Sequence, residues 1–437
     1  MGSVQRSLVR RLAPILAVAS IAGCDFAPER ERPSILLVSI DTLRADHVGL
    51  YGYERDTTPF LDDFARRCIV YDRAFSPCPW TLIAHMTMLT GLFPTQHGVL
   101  SSDLALSDGI PLLAERLRSA GYQTVGLYRE SWIHPRYGFE RGFEVFRAHE
   151  DAAEAGVHLQ EELARLDRKR PFFLFLHLFD VHNGVSRASS EPYYPSPPPY
   201  EDAFLPEGSA PLPPGPPELL WDKDNPLTPE QIRTLVALYD GGIRHVDAKL
   251  GEWFAALERD GWLANTLVIV TSDHGESLAQ RGRLDGHGGF AQEGLHVPLL
   301  LRQPGEQRAG TRVSEVVHLG DIVPTVLEVA GLDADPQLPG RSLLGKLDPQ
   351  RVVTGAYPPN DYVVQWPEKI MRSQDGRCLA VDLERDPGEL RMHAGDRERF
   401  QQLLETAVPP SQTFAPAREV GPMSEADREA LRAIGYF

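Results

Sequence analysis

Thr266-Leu-Val-Ile-Val-Thr271 runs directly into Ser272-Asp273-His274-Gly275-Glu276. The first six residues are short, apolar and mostly β-branched, the pattern of a strand buried on both faces of a parallel sheet. An Asp and a His leaving the carboxyl end of such a strand stand where open α/β sheets carry their chemistry. Carboxylate oxygen with imidazole nitrogen is a hard-to-borderline donor set for a metal ion.

A second apolar strand ends the same way. Ser34-Ile-Leu-Leu-Val-Ser-Ile40 runs into Asp41, then Thr-Leu-Arg-Ala-Asp46-His47. Asp often does no more than cap the helix after a strand, and either stretch alone admits that reading. Two such strand ends, far apart in sequence, together predict one shared metal centre.

In all, strands are expected over 35–40, 123–128, 171–178, 266–272 and 299–301, with helices between them. That alternation predicts a parallel sheet covered on both faces. Thr228-Pro229-Glu230-Gln231 is a capping box with Pro at the first helical position. It opens a helix with Ile232, Leu235, Val236 and Tyr239 on one stripe. Gly241-Gly242 is expected to break or kink that helix, with a second amphipathic piece through Val246, Leu250, Phe254 and Leu257. Residues 186–227, dominated by Pro and acidic side chains, read as an extended insertion, either solvated or a lid over the site. Leu319 opens another helix, and a last amphipathic helix runs towards Gly435-Tyr-Phe437.

The chain start carries a separate signal. Arg6, Arg10 and Arg11 precede an apolar run from Leu12 to Gly23 that is too short to span a bilayer comfortably. It ends Ser20-Ile-Ala-Gly-Cys24, which resembles a bacterial lipoprotein signal: residues 1–23 removed, lipid on Cys24, and 24–32 a linker. An ordinary signal peptide or short anchor is the plainer alternative. The expected location is therefore extracytoplasmic, tied to the membrane through Cys24 and periplasmic where two membranes exist. A hydrophobic content of 42% indicates a globular chain, and a net charge of −17 argues against nucleic acid as a partner. Cys68, Cys78 and Cys378 remain after lipidation, so one disulfide is conceivable, with Cys68 and Cys78 closest in sequence.

Asp41-Thr-Leu-Arg-Ala-Asp-His, Thr81-Leu-Ile-Ala-His-Met-Thr-Met-Leu-Thr-Gly91, Pro94-Thr-Gln-His-Gly98 and Ser272-Asp-His-Gly-Glu276 follow one another as they do in the sulfatase family of the alkaline phosphatase superfamily. The resemblance extends to Val246-Asp-Ala-Lys-Leu-Gly251, His287-Gly-Gly-Phe, Val297-Pro-Leu-Leu and residues 383–389. It implies a three-layer α/β/α fold with a large, mostly parallel sheet. Residues 33–302 would form the catalytic core, and 303–437 would complete it and add a smaller α+β subdomain.

The resemblance also fixes the nucleophile position. The family motif is Cys/Ser-x-Pro-x-Arg ahead of a helix bearing Leu-Thr-Gly. Counting back from Leu89-Thr90-Gly91 puts Thr81 there, with His85 in place of the Arg and no Pro. Thr cannot become formylglycine. Formylglycine hydrate expels sulfate by regenerating an aldehyde, an exit a sulfated Thr lacks, whereas a phosphothreonine is open to in-line displacement. Phosphoryl chemistry is therefore favoured over sulfuryl chemistry. The plain alternative for Thr81 is a helix N-cap. The resemblance implies one divalent ion, with Mn²⁺, Ca²⁺ and Zn²⁺ all open, on Asp41, Asp273 and His274. A single ion is favoured because Ile40 replaces one of the family's paired Asp residues. His85, His182 and His287 are candidates to protonate the leaving oxygen or hold a charged one. His97 is expected to be structural and His177 a packed core residue, while Arg44 and Asp46 are read as supporting the site or as a surface pair.

The substrate class is a small anionic ester, a sulfated or phosphorylated glycan, or a lipid headgroup. A phosphoalkanol transferase is the alternative enzyme, though the familiar ones carry several membrane helices ahead of the catalytic domain. A degenerate ligand-binding member is the alternative outside catalysis, and metal binding discriminates it.

Overall fold

The Ser34–Ile40 and Thr266–Thr271 strands lie side by side in parallel, Ile35 opposite Leu267 and Ser39 opposite Thr271, in the computed structural model of the protein. The structure describes residues 1–2, 32–182, 193–212, 227–279, 287, 289–408 and 414–433. The expected signal segment, Cys24, the stretches 186–192 and 213–226 of the Pro-rich insertion, and the 435–437 tail lie outside the described residues. No helix among the described residues is long and apolar enough to cross a membrane.

The main sheet runs Thr311–His318, Ile69–Phe75, Leu299–Arg302, Thr266–Thr271, Ser34–Ile40, Phe172–Leu178, Gln123–Arg129, Val145–His149, and a short His296–Val297 strand joins Ile69–Phe75. Every neighbouring pair is parallel except those made by Leu299–Arg302 and by His296–Val297. All five expected strands are present. Ile69–Phe75, Val145–His149 and Thr311–His318 also enter the sheet, although charged residues interrupt each of them.

The two faces of the sheet are covered by separate apolar clusters. One gathers Ile35, Leu37, Phe173 and Ile269 with Leu82, Met86 and Leu89 of the Thr81–Thr90 helix. The other gathers Leu36, Val38, Leu174 and Val268 with Leu235, Leu250 and Phe254 of the Pro229–Arg259 helix. Strand residues alternate between these clusters because successive side chains point to opposite faces. An Ile or Leu emptied to Ala at such a site costs about 2–5 kcal/mol.

The smaller unit is a five-stranded antiparallel sheet over residues 352–394. Val353, Tyr362 and Val364 face Phe75, Leu295 and Val316 of the main body. Val352, Val363 and Ile370 face Phe400 and Leu403 of the Arg397–Ala407 helix.

One expectation is corrected and one open question is answered. Pro229–Arg259 is one helix of 31 residues, running through Gly241-Gly242 without a break. The glycines serve close approach instead: a Cβ on Gly241 would stand 2.4 Å from the Tyr200 carbonyl oxygen. Cys68 and Cys78 are free and buried. They flank the seven-residue Ile69–Phe75 strand, which holds their backbones roughly 20 Å apart at ~3.3 Å per residue, whereas a disulfide needs less than about 7 Å.

Candidate active site

Asp41 ends the Ser34–Ile40 strand and Asp273 and His274 follow Thr266–Thr271, so parallel pairing alone brings them to one sheet edge. All three side chains are fully buried. One ligand atom from each lies within 4.8 Å of the others. Asp273 Oδ1 accepts from the backbone N–H of Thr42 at 3.2 Å and of His274 at 2.9 Å. Among the described residues, no hydrogen-bond donor reaches Asp273 Oδ2 or Asp41 Oδ1. His274 Nδ1 lies 2.8 Å from the Gly275 carbonyl; a hydrogen bond there requires the proton on Nδ1 and leaves the Nε2 lone pair inward.

The electrostatics agree. Burial, offset in part by His287 and Thr81, raises the Asp41 carboxyl to about 7. Burial and the neighbouring Asp41 push Asp273 well up, and burial with nearby His287 pushes His274 well down, towards the neutral ring. Two buried carboxylates with orphaned oxygens beside a neutral imidazole fit a divalent cation.

Thr81 is the first residue of the Thr81–Thr90 helix, and the capping position belongs to Trp80. Its hydroxyl is not spent on a backbone cap. Oγ1 lies 3.3 Å from Asp41 Oδ2 and 3.2 Å from His274 Nε2. Cys78 is buried three residues earlier, where burial and Asp273 push its thiol well up, towards the neutral form.

His287 lies with its ring 4.6 Å from His274 and its Nδ1 3.5 Å from Glu276 Oε1. Burial disfavours its charge, but Glu276, Asp41 and Asp273 outweigh burial and raise its pKa. The His182 ring stacks on Phe179 at 4.1 Å and stands 5.2 Å from His287. His85 lies behind Thr81, buried and held neutral. Its Nε2 is 3.0 Å from Ser39 Oγ, its Nδ1 3.0 Å from the Thr81 carbonyl and 3.6 Å from Asp273 Oδ2. His97 is buried between Thr87 and the Val99 N–H.

Several supporting residues emerge only in three dimensions. His177 is buried as expected, and its Nε2 also stands 3.1 Å from Asp41 Oδ2. The available signal was an imidazole in an otherwise apolar strand, Phe-Phe-Leu-Phe-Leu-His-Leu. The Tyr239 hydroxyl donates to the Thr42 carbonyl at 2.7 Å and accepts the Arg44 N–H at 3.0 Å. It thereby holds Thr42 at φ 57°, a conformation non-glycine residues seldom adopt, with its N–H on Asp273. Arg44 is buried and spans Asp46 and the Glu276 carbonyl, while Asp46 is exposed. Gly275 is required because a Cβ there would meet the Glu293 carbonyl oxygen at 1.8 Å.

The sulfatase family model matches residues 33–332. An arylsulfatase of Clostridium perfringens is 24% identical over 82% of this chain and 89% of its own length. A Delta 4,5-hexuronate-2-O-sulfatase of Bacteroides thetaiotaomicron is 22% identical over 88% of this chain and 89% of its own. The crystal structure of a phosphonate monoester hydrolase of Agrobacterium radiobacter superposes with a TM-score of 0.69 at 21% identity, covering 90% of this chain and 100% of that one.

Proposed function

The chain belongs to the sulfatase family, and from that premise we propose that it is a metal-dependent hydrolase of sulfate or phosphate esters that favours phosphoesters and acts through a covalent Thr81 intermediate. The observation that carries this reading is the Thr81 hydroxyl, within hydrogen-bond reach of both Asp41 Oδ2 and His274 Nε2. A divalent ion held by Asp41, Asp273 and His274 would supply Lewis acidity, lowering the pKa of a bound hydroxyl and neutralising ester oxygens.

The chain's own groups do the rest. Thr81 Oγ attacks phosphorus; the new Oγ–P bond forms as the bond to the leaving oxygen breaks, with the hydroxyl proton passing towards Asp41 Oδ2. His287, whose imidazolium is favoured by Glu276 and the two carboxylates, gives its proton to the leaving oxygen. Water then attacks phosphorus, giving a proton to His287, and the Oγ–P bond breaks as Asp41 returns its proton to Oγ, so the Thr81 hydroxyl is restored. His182, next to His287, binds an anionic oxygen. His85 is a positioning residue, since it bonds the Thr81 carbonyl and Ser39.

The hexuronate named for one relative supports an ester carried on a sugar. The basic, apolar and small-residue pattern ending at Cys24 supports a lipid-anchored, extracytoplasmic enzyme; labelling of the expressed chain with a radioactive fatty acid, abolished by Cys24→Ser, tests that part.

Turnover by the purified chain and by Thr81→Ala on aryl sulfate, phosphate monoester, phosphodiester and phosphonate ester, with Mn²⁺, Ca²⁺ or Zn²⁺, tests the activity. Phosphoester cleavage lost in Thr81→Ala is expected. Preferential sulfate release would overturn the phosphoryl preference, and activity retained in Thr81→Ala would overturn the nucleophile.

A further inference from the structure

Trp80 directly precedes the Thr81 nucleophile position and starts its helix. Its ring is half-buried and touches two other aromatic rings, Trp132 at 5.0 Å and Tyr357 at 5.5 Å. The three come from distant parts of the chain. Trp132 follows the Gln123–Arg129 strand, and Tyr357 ends the Val352–Tyr357 strand of the small sheet. Trp132 is almost wholly buried, whereas Tyr357 is 43% exposed.

Burial, with the nearby buried Cys78, pushes the Tyr357 phenol up from its ordinary value, although much of the residue faces solvent. The Val352–Tyr357 strand is pinned in this position: a Cβ on its Gly355 would stand 1.9 Å from the Pro77 carbonyl oxygen.

We propose that Trp80, packed on the buried Trp132, and Tyr357 form a stacking platform for the sugar ring that carries the scissile ester. The proposal rests on the ester-hydrolase reading of Thr81. Adjacency to Thr81 makes the occupant the alcohol side of the ester. An aromatic surface with few polar anchors is how proteins bind compact, partly apolar ligands, and a pyranose offers an apolar C–H face to it. A lipid chain would need a long apolar track. Among the described residues the exposed large apolar side chains are Met1, Val157, Tyr357, Leu379 and Leu390, and of these only Tyr357 belongs to the aromatic cluster.

The test uses the full chain with Thr81→Ala, so that esters bind without turnover, and reads intrinsic tryptophan fluorescence. Glucosamine 6-sulfate and glucose 6-phosphate are titrated beside ring-free ethyl sulfate and ethyl phosphate, and 4-nitrophenyl phosphate is assayed by competition. Adding Tyr357→Ala is expected to weaken the sugar esters about tenfold, or ~1.4 kcal/mol, and to leave the ethyl esters unchanged. Tyr357→Phe, which keeps the ring, should retain binding. Sugar esters that bind equally well to Tyr357→Ala would overturn the platform and leave the hydrolase reading standing. Dependence on Tyr357 for the nitrophenyl ester alone would overturn the sugar as occupant. No binding of any ester, with no turnover by the unmodified protein, would overturn both.

Discussion

The hydroxyl oxygen of Thr81 lies 3.3 Å from Oδ2 of Asp41, although the two are 40 positions apart in sequence. A helix start and a strand end thus share one carboxylate. Removing the hydroxyl removes the only proposed nucleophile, while shortening the side chain by a methyl does not. Thr81→Ala is expected to lower kcat by about 10³-fold or more. Thr81→Ser should keep measurable turnover and form a phosphoserine that mass spectrometry of the quenched enzyme detects. Equal activity in both variants would remove Thr81 from the chemistry.

Asp273→Asn separates the metal role of the carboxylate from its structural one. The backbone N–H groups of Thr42 and His274 that reach Oδ1 are still met by an amide oxygen. The neighbouring Asp41 no longer faces a second buried carboxylate. In chelator the variant is therefore expected to melt at or above the temperature of the parent. Added divalent ion should raise the melting point of the parent and not of the variant, with metal affinity lowered roughly 10- to 100-fold or more. A variant stabilised by metal as much as the parent would take Asp273 out of the site.

Gly241→Ala asks what the glycine pair is for. Helix propensity alone favours Ala by about 1 kcal/mol. The Tyr200 carbonyl stands 2.4 Å from where the new Cβ would lie, and the Asp180 carbonyl 3.0 Å from one on Gly242. Overpacking against backbone typically costs ~1–3 kcal/mol. The net expectation is a loss of chemical-denaturation stability in Gly241→Ala and a smaller one in Gly242→Ala. A gain in both would restore the reading of these glycines as mere weak points.

That pair also marks the boundary of what the sequence reveals. The strands 34–40, 123–129, 172–178, 266–271 and 299–302 are predominantly apolar, and Asp41, Asp273 and His274 follow two of them directly, so strands and site were legible together. Ile69–Phe75 was hidden by Asp72-Arg73, although those charges are accommodated where the strand pairs with Thr311–His318 and Asp72 meets Arg312. Local pattern cannot report what another segment will bring. The carbonyl over Gly241, the Tyr239 clamp on Thr42 and the approach of His177 to Asp41 all come from contacts between distant parts of the chain.

Stability should fall with acid because several imidazoles are buried neutral away from the metal pocket. Burial lowers His97 and His318 to about 3, against an ordinary 6.5. Their Nδ1 atoms accept the N–H groups of Val99 and Gly320, which a protonated ring cannot do. A depressed folded pKa gives stability that is complete above about 6.5 and is lost as pH falls from there towards 3. Each group contributes a slope of up to ~1.4 kcal/mol per pH unit over that window. Urea unfolding between pH 7 and 4 measures it. His97→Gln should be less stable at pH 7 but less steep in acid, and an unchanged slope would deny His97 its share.

Lys369 and Glu389 form a buried ion pair that ties the small sheet to the loop following His287. Lys369 donates to the Phe290 carbonyl, and Glu389 accepts the Gln292 N–H at 3.1 Å. Both anchored residues lie within a few positions of His287, so the pair bears on the proposed proton donor as well as on stability. Lys369→Met leaves a buried carboxylate without its cation, a change that typically costs about 3–5 kcal/mol. Lys369→Met with Glu389→Gln removes both charges and should recover much of that loss, because an amide oxygen still accepts the Gln292 N–H. If the pair also fixes the His287 loop, the double variant should fold at close to parental stability yet show a lowered kcat with little change in KM. Recovery of stability and full kcat together would confine Lys369 and Glu389 to holding the fold.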